Sequence, residues 1–257
     1  MSFDRYIALG DSISIDLYPA RDIAEREPAS QGPPPRGLGA ASLLYRNDDV
    51  RWPEFAGRDL ERLIGGVAFR NAHNFDSPAT HPTDNYATDG ATTVGVLAYQ
   101  LGRVEPSVER TLFTVTAGGN DMLQMMGAPK PPATLVEGMT SRLERIVRTA
   151  RTKRPNSLVI LGTVYDPSDG TNQLDGEERF DREAGWLAEY NDAVRRIAAT
   201  TGGTVLADIH RHFLGHGVMA SRADRWYWSG LIFEPNARGA SEVRRLWLEA
   251  LGAHLER

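Results

Sequence analysis

In this 257-residue chain, three polar, glycine-rich segments stand where apolar runs or helical patterns meet. The run Tyr6-Ile7-Ala8-Leu9 stops abruptly at Gly10-Asp11-Ser12. A glycine lets the backbone turn sharply, so a buried strand ending there presents the Ser12 hydroxyl at its carboxyl edge. A serine hydroxyl is a poor nucleophile until a base removes its proton. Attack on an acyl carbon also creates an oxyanion, which needs donors already in place. Two further segments offer them. Asn85-Tyr86-Ala87-Thr88-Asp89-Gly90-Ala91-Thr92 supplies the unshielded backbone N–H of Gly90, and Ala117-Gly118-Gly119-Asn120-Asp121 supplies the side-chain amide of Asn120. With the N–H of Ser12, Gly90 and Asn120 make a three-donor oxyanion hole. Asp89 reads as a cap for a helix starting near Thr92, and Asp11 and Asp121 as acceptors that hold their loops.

These residues meet only if the elements carrying them end on one side of a sheet. Unbroken apolar runs at 6–9, 67–69, 111–115, 158–164 and 204–207 have the look of strands covered on both faces. Between them, Leu135, Met139, Leu143, Ile146, Val147 and Ala150 repeat at helical spacing, as do Trp186, Leu187, Tyr190, Val194 and Ile197. The last segment does the same through Val243, Leu246, Trp247, Ala250, Leu251 and Leu255. The alternation predicts a three-layer α/β/α domain over 1–257 with a mainly parallel, five-stranded sheet. Ligands of such sheets bind beyond the carboxyl ends of the strands, where the three segments lie. Residues 19–50, with Pro28, Pro33, Pro34 and Pro35, read as an irregular insertion: a lid, a substrate-binding wall or a plain surface loop.

Composition narrows the function. A net charge of −5 gives no basic footprint, so neither nucleic acid nor an anionic membrane is an expected partner. The absence of cysteine excludes disulfides, a thiol nucleophile and cysteine-ligated zinc, and fits a reducing compartment. The N-terminal residues run into the first strand without an apolar signal region, and no apolar stretch approaches a membrane span. A soluble, cytoplasmic protein is the expectation.

The three segments, in this order, resemble the SGNH, or GDSL-type, hydrolase family of esterases and lipases. Gly10-Asp11-Ser12 is similar to the first block, 85–92 to the second and Gly118-Gly119-Asn120-Asp121 to the third. The resemblance implies a flavodoxin-like sheet, Ser12 as nucleophile, Gly90 and Asn120 in the oxyanion hole, and no cofactor. It further implies hydrolysis of a small-molecule carboxylic ester, with small acyl or acetyl groups, through an acyl-enzyme. The hydrolase motif Gly-x-Ser-x-Gly is absent.

The last block departs from the family. It normally carries Asp-x-x-His before Pro-Asn, whereas here Glu234 precedes Pro235-Asn236, and Leu231 stands where the aspartate would. Three readings stay open. His216, flanked by Gly215 and Gly217, or its rival His212, reaches in as base with Glu234 orienting it. Alternatively Glu234 is itself the base, which requires burial to raise its proton affinity. In the third, catalysis is lost and the pocket binds a carbohydrate or acyl ligand. Asp208, His210, His212 and His216 raise a metal site, but extended and helical spacing bring different pairs together, so no metal is expected. Met122, Leu123, Met125 and Met126, and Trp226, Tyr227, Trp228 and Phe233, are candidates for an acyl pocket or for core packing. Arg238, Arg244 and Arg245 read as a solvated helix face.

Overall fold

The structure is a computed structural model, which describes residues 2–27, 37–71, 83–126, 128, 134–174, 176 and 179–256. His73, His81 and the prolines of 28–36 lie outside the described residues. Four parallel strands, β1 Arg5–Leu9, β2 Thr111–Val115, β3 Ser157–Gly162 and β4 Thr204–Ala207, lie side by side in chain order. Leu9 pairs with Val115, Val115 with Leu161, and Leu161 with Leu206. The strands therefore finish nearly level, and the loops after them share one edge.

Among the described residues the sheet has four strands rather than the expected five. Residues 67–69 pair with the β1 backbone through one isolated parallel bridge, between Arg5 and Ala68, and a second bridge joins Ala8 to Asn85. Two short segments thus divide the outer edge of β1: the Tyr6 N–H donates to Ala68 O and the Ala8 N–H to Asp84 O. Three apolar residues were enough to cover that edge but too few to build a ladder.

Helices α1 Leu17–Arg26, α2 Ala40–Tyr45, α3 Leu60–Ile64, α4 Thr93–Gly95, α5 Leu101–Arg103, α6 Gly119–Met125, α7 Leu135–Lys153, α8 Asp181–Thr200, α9 Ile209–Phe213 and α10 Ala237–Leu255 connect the strands, and a π turn, Val96–Gln100, joins α4 to α5. Strand residues alternate between two cores. Tyr6, Ala8, Leu112, Leu158 and Ile160 pack with α2, α9 and α10, while Ile7, Leu9, Phe113, Val115, Val159 and Leu161 pack with α7 and α8. Both faces are apolar because both are covered, which gives the three layers. Among the described residues no helix is long and apolar enough to cross a membrane.

The described part of 19–50 is not irregular. It is largely helical in α1 and α2, with Ile23, Leu43 and Leu44 buried in the core. Asp16, buried, accepts the N–H groups of Gly37 and Gly39 at 2.9 and 2.7 Å and ties the two helices together. Arg244 is not solvated either: its guanidinium is fully buried 3.6 Å from the Phe55 ring centre and donates to Asn47 Oδ1 at 2.7 Å.

Candidate active site

At the end of β1 the chain must pass against the end of β2. Gly10 takes φ 134°, and a Cβ there would lie 2.1 Å from Thr116 O, so no other residue fits. Its peptide is gripped from both sides by Gln100 at the end of the π turn: Oε1 accepts the Gly10 N–H at 2.8 Å and Nε2 donates to Gly10 O at 2.7 Å. Asp11 caps the short 3-10 turn Ser12–Ser14 by accepting the Ile13 N–H, and receives the Thr116 hydroxyl at 2.9 Å. Burial pushes the Asp11 carboxyl up to about 6. Ser12 follows, buried, and its Oγ donates to Glu234 Oε1 at 3.0 Å across 222 residues of sequence.

Glu234 is aimed by the segment that leads into α10. The Trp228 N–H donates to Glu234 O at 2.8 Å, the Glu234 N–H to Leu231 O at 2.9 Å, and the Tyr165 hydroxyl to the neighbouring Phe233 O at 2.6 Å. Asn236 caps α10 by accepting the Gly239 N–H, and its Nδ2 donates back to Arg225 O and Tyr227 O. Gly239 is obligatory, since a Cβ there would come within 2.3 Å of Trp226 O. Pro-Asn and the later glycine therefore lock the stretch that carries Glu234. Only 7% of Glu234 is exposed, and burial pushes its carboxyl up to about 8, with Asp11 and Asp89 adding to the rise and the Ser12 hydrogen bond opposing it. Its second oxygen, Oε2, is buried without a hydrogen-bond partner among the described residues.

Asn120 stands in the first turn of α6, after Gly118 at φ 114°, where a Cβ would strike the Tyr190 ring. Its Nδ2 donates to Ala91 O at 3.1 Å, and Asp121 accepts both the N–H and the hydroxyl of Thr93. The Thr88 N–H donates to Gly10 O at 3.1 Å. The loop carrying Gly90 is thus tied to the Ser12 turn at one end and to α6 at the other, with Gly90 exposed at φ 69° between them. Asn120 lines the same cleft as Ser12; Gly90 is not among the lining residues. Asp89 does not cap a helix: Thr92 does, accepting the Gly95 N–H, while Asp89 accepts the Tyr18 hydroxyl at 2.9 Å.

His216 is not brought to Ser12. Its ring stacks on Trp226 at 3.5 Å and its Nδ1 lies 2.7 Å from Asp224 O. The backbone freedom that recommended it is used elsewhere: Gly215, at φ 91°, and Gly217 turn so that both their N–H groups donate to Asp169. His212 is held by Glu242 at 3.0 Å, and neither imidazole lines the cleft. Asp208 caps α9 and pairs with Arg195, so the predicted quartet of possible ligands diverges. Among the described residues no three such groups converge as a metal site.

A cleft of about 120 Å³ leads away from Ser12 and Glu234. Met122 and Leu123 of α6 and Met126 just after it line the cleft, as do Phe180, Ala184 and Leu187 at and within the start of α8. Of the aromatic candidates only Phe233 reaches it; Trp226, Tyr227 and Trp228 pack against Phe213, Tyr165 and Tyr18. Gln100, Thr116 and Tyr165 were missed from the sequence. Thr116 and Tyr165 sit one and three residues past β2 and β3, where sheet topology directs the search; Gln100 carries no such signal.

The sequence matches the model of the GDSL-like lipase/acylhydrolase family over residues 8–241. Similar solved structures include a phospholipase A1 from Streptomyces albidoflavus (20% identity, TM-score 0.56, covering 98% of this chain and 99% of that one). An extracellular lipase from Streptomyces rimosus aligns at 20% identity and TM-score 0.54, over 97% and 98% of the two chains. An acetyl xylan esterase from Geobacillus stearothermophilus aligns at 15% identity and TM-score 0.58, over 98% and 95%. At such identities the likeness is one of fold. No curated protein sequence matches the chain.

Proposed function

The chain belongs to the GDSL-like lipase/acylhydrolase family, and on that premise we propose a serine-dependent carboxylic ester hydrolase in which Glu234, without a histidine, takes the proton from Ser12. The observation that carries this is the 3.0 Å hydrogen bond from Ser12 Oγ to a buried carboxyl. An ordinary carboxylate is too weak a base for a serine. Pushed up to about 8, Glu234 binds a proton at least as tightly as an imidazole, whose ordinary value is about 6.5.

Charge bookkeeping supports the same reading. A histidine that accepts a proton becomes a cation and needs an aspartate beside it. A glutamate that accepts one becomes neutral and needs no counter-charge. Leu231 at the position of the family's aspartate fits a base of this kind.

In the reaction, the Glu234 carboxylate removes the Ser12 proton as Oγ bonds to the acyl carbon. The oxyanion is received by the Ser12 N–H, the Gly90 N–H and the Asn120 amide, whose loops are already tied to one another. Glu234 then passes its proton to the leaving alkoxide, freeing the alcohol and leaving an ester on Ser12. In the second half it deprotonates a water that attacks this ester, and the released Ser12 oxygen recovers the proton. The unpartnered Oε2 offers that water an acceptor while Oε1 faces Ser12.

The test is the pH profile. Since only ionised Glu234 is a base, kcat/KM should rise about tenfold between pH 7 and pH 9 with an inflection near 8. Ser12→Ala should abolish turnover and fluorophosphonate labelling. An inflection near 6.5 that vanishes on replacing His212 or His216 would return the base to a histidine.

A further inference from the structure

We propose that Tyr18 is a positioning residue for catalysis: through its hydrogen bond to Asp89 it sets the direction in which the next residue, Gly90, presents its N–H. This rests on the ester-hydrolase reading above, with Gly90 as an oxyanion donor. Gly90 does little to hold its own geometry. It is exposed at φ 69°, and a Cβ there would meet nothing within 4 Å among the described residues. A glycine without packing of its own points where its two neighbours are held. On one side Asn120 Nδ2 donates to Ala91 O at 3.1 Å, which leaves its second amide proton for the oxyanion. On the other side the Tyr18 hydroxyl donates to Asp89 Oδ2 at 2.9 Å. Thr92 already caps the helix that follows, so capping does not explain the acid at 89.

Tyr18 is itself firmly fixed. It stands in the first turn of α1, is 7% exposed, and packs with Ile15, Leu17, Ala87 and Trp228. Its ring centre lies 5.7 Å from that of Trp228. Trp228 is tied to the same helix, because its Nε1 donates to Glu25 Oε2 at 2.8 Å, while its backbone N–H donates to Glu234 O. From the helix that follows the nucleophile, one side chain thus meets both the segment carrying the base and the loop carrying Gly90. The bond to Asp89 is charge-assisted, which makes it about twice as strong as a neutral one. Burial and the neighbouring carboxylates hold the Tyr18 hydroxyl well above its ordinary value, so it stays a donor throughout the assay range. A bare carboxylate one residue from an oxyanion donor would oppose the developing charge, and the Tyr18 proton offsets part of that.

The experiment uses the full chain, with p-nitrophenyl acetate hydrolysis and fluorophosphonate labelling of Ser12 measured at pH 9. Asp89 adds to the proton affinity of Glu234, and above its value of about 8 that carboxyl is largely ionised in parent and variants alike. Removing an oxyanion donor outright costs about 10²–10³ in kcat, so loosening one should cost about tenfold. Tyr18→Phe keeps the ring against Trp228 and should lower kcat by that factor, with KM within about twofold and labelling slowed in parallel. Acylation and deacylation both pass through an oxyanion, so kcat falls whichever step limits it. Asp89→Ala should do the same, and the double variant should be no slower than the slower single one, because both changes break one bond. Asp89→Asn keeps an acceptor for the hydroxyl and should stay within about threefold of the parent. The two single changes break the bond from opposite ends, so either suffices if the other fails to fold. A Tyr18→Phe kcat within about twofold of the parent overturns the proposal, as do additive losses in the double variant or a raised KM with kcat unchanged. In those cases the parent is still active and the hydrolase reading stands. If the folded parent neither hydrolyses the ester nor takes the label, the hydrolase reading itself falls, and the role of Tyr18 with it.

Discussion

Replacing Glu234 with glutamine should remove activity and add stability, the latter by an amount that depends on pH. The unfolded chain ionises this carboxyl near its ordinary value of 4.5, whereas burial in the folded protein pushes it up to about 8. Between those values the unfolded state binds fewer protons than the native state, so stability falls as pH rises. The loss runs at about 1.4 kcal/mol per pH unit, is absent below pH 4.5 and is complete above pH 8, for a ceiling of about 5 kcal/mol. Glutamine keeps an acceptor for the Ser12 hydroxyl and, like the protonated acid, puts a donor at the buried second position. Glu234→Gln should therefore match the parent near pH 4.5, exceed it by about 3 kcal/mol at pH 7, and gain little more above pH 8. Urea unfolding at pH 5, 6, 7 and 8 measures this, while ester hydrolysis should drop by about 10²–10⁴. A stability difference that stays flat across that range refutes the buried, raised carboxyl. Activity within threefold of the parent refutes Glu234 as the base.

The two histidine variants should be nearly silent in catalysis. His216→Ala and His212→Ala should keep kcat/KM within about threefold in the same ester assay, with His212→Ala costing about 1 kcal/mol through the partly exposed pair with Glu242. Gln100→Leu should cost about 1–3 kcal/mol in thermal unfolding by stranding the buried Gly10 N–H. It should also lower kcat more than it raises KM, since the loosened part is the Ser12 turn.

Much of the sheet was legible because its strands are buried on both faces and leave unbroken apolar runs; the 111–115 and 204–207 runs coincide with β2 and β4. The long helices α7, α8 and α10 were legible from their period. The failures share a cause, in that local pattern was too short or long-range contact decided. Residues 67–69 make a bridge rather than a strand because residues 83–86 return to share the same edge. The helix α1 begins with Leu17-Tyr18-Pro19, and α2 is only six residues long, so prolines and glycines masked both. That Ser12 and Asn120 line one cleft could be anticipated because topology limits where loops after parallel strands can meet. His216 was attractive for its flanking glycines, yet glycine freedom says that a chain can turn and not which way. Asp169 settled the direction, from a loop 48 residues away from Gly217.

The buried Asp22 bears on the surroundings of Glu234. A helix begins with unpaired N–H groups and a positive partial charge, and α10 starts only three residues after Glu234. Left bare, that end would favour the ionised carboxylate and make it a weaker proton acceptor. Instead Asp22 of α1 accepts the Ala237 N–H at 3.1 Å, and Asn236 takes the Gly239 N–H at 2.8 Å. The helix's positive pole is already answered by another acid. Asp22, itself held by Arg26 at 2.7 Å, thus answers that pole from the segment that follows Ser12, and the rise that burial gives the Glu234 carboxyl is opposed only by the Ser12 hydrogen bond.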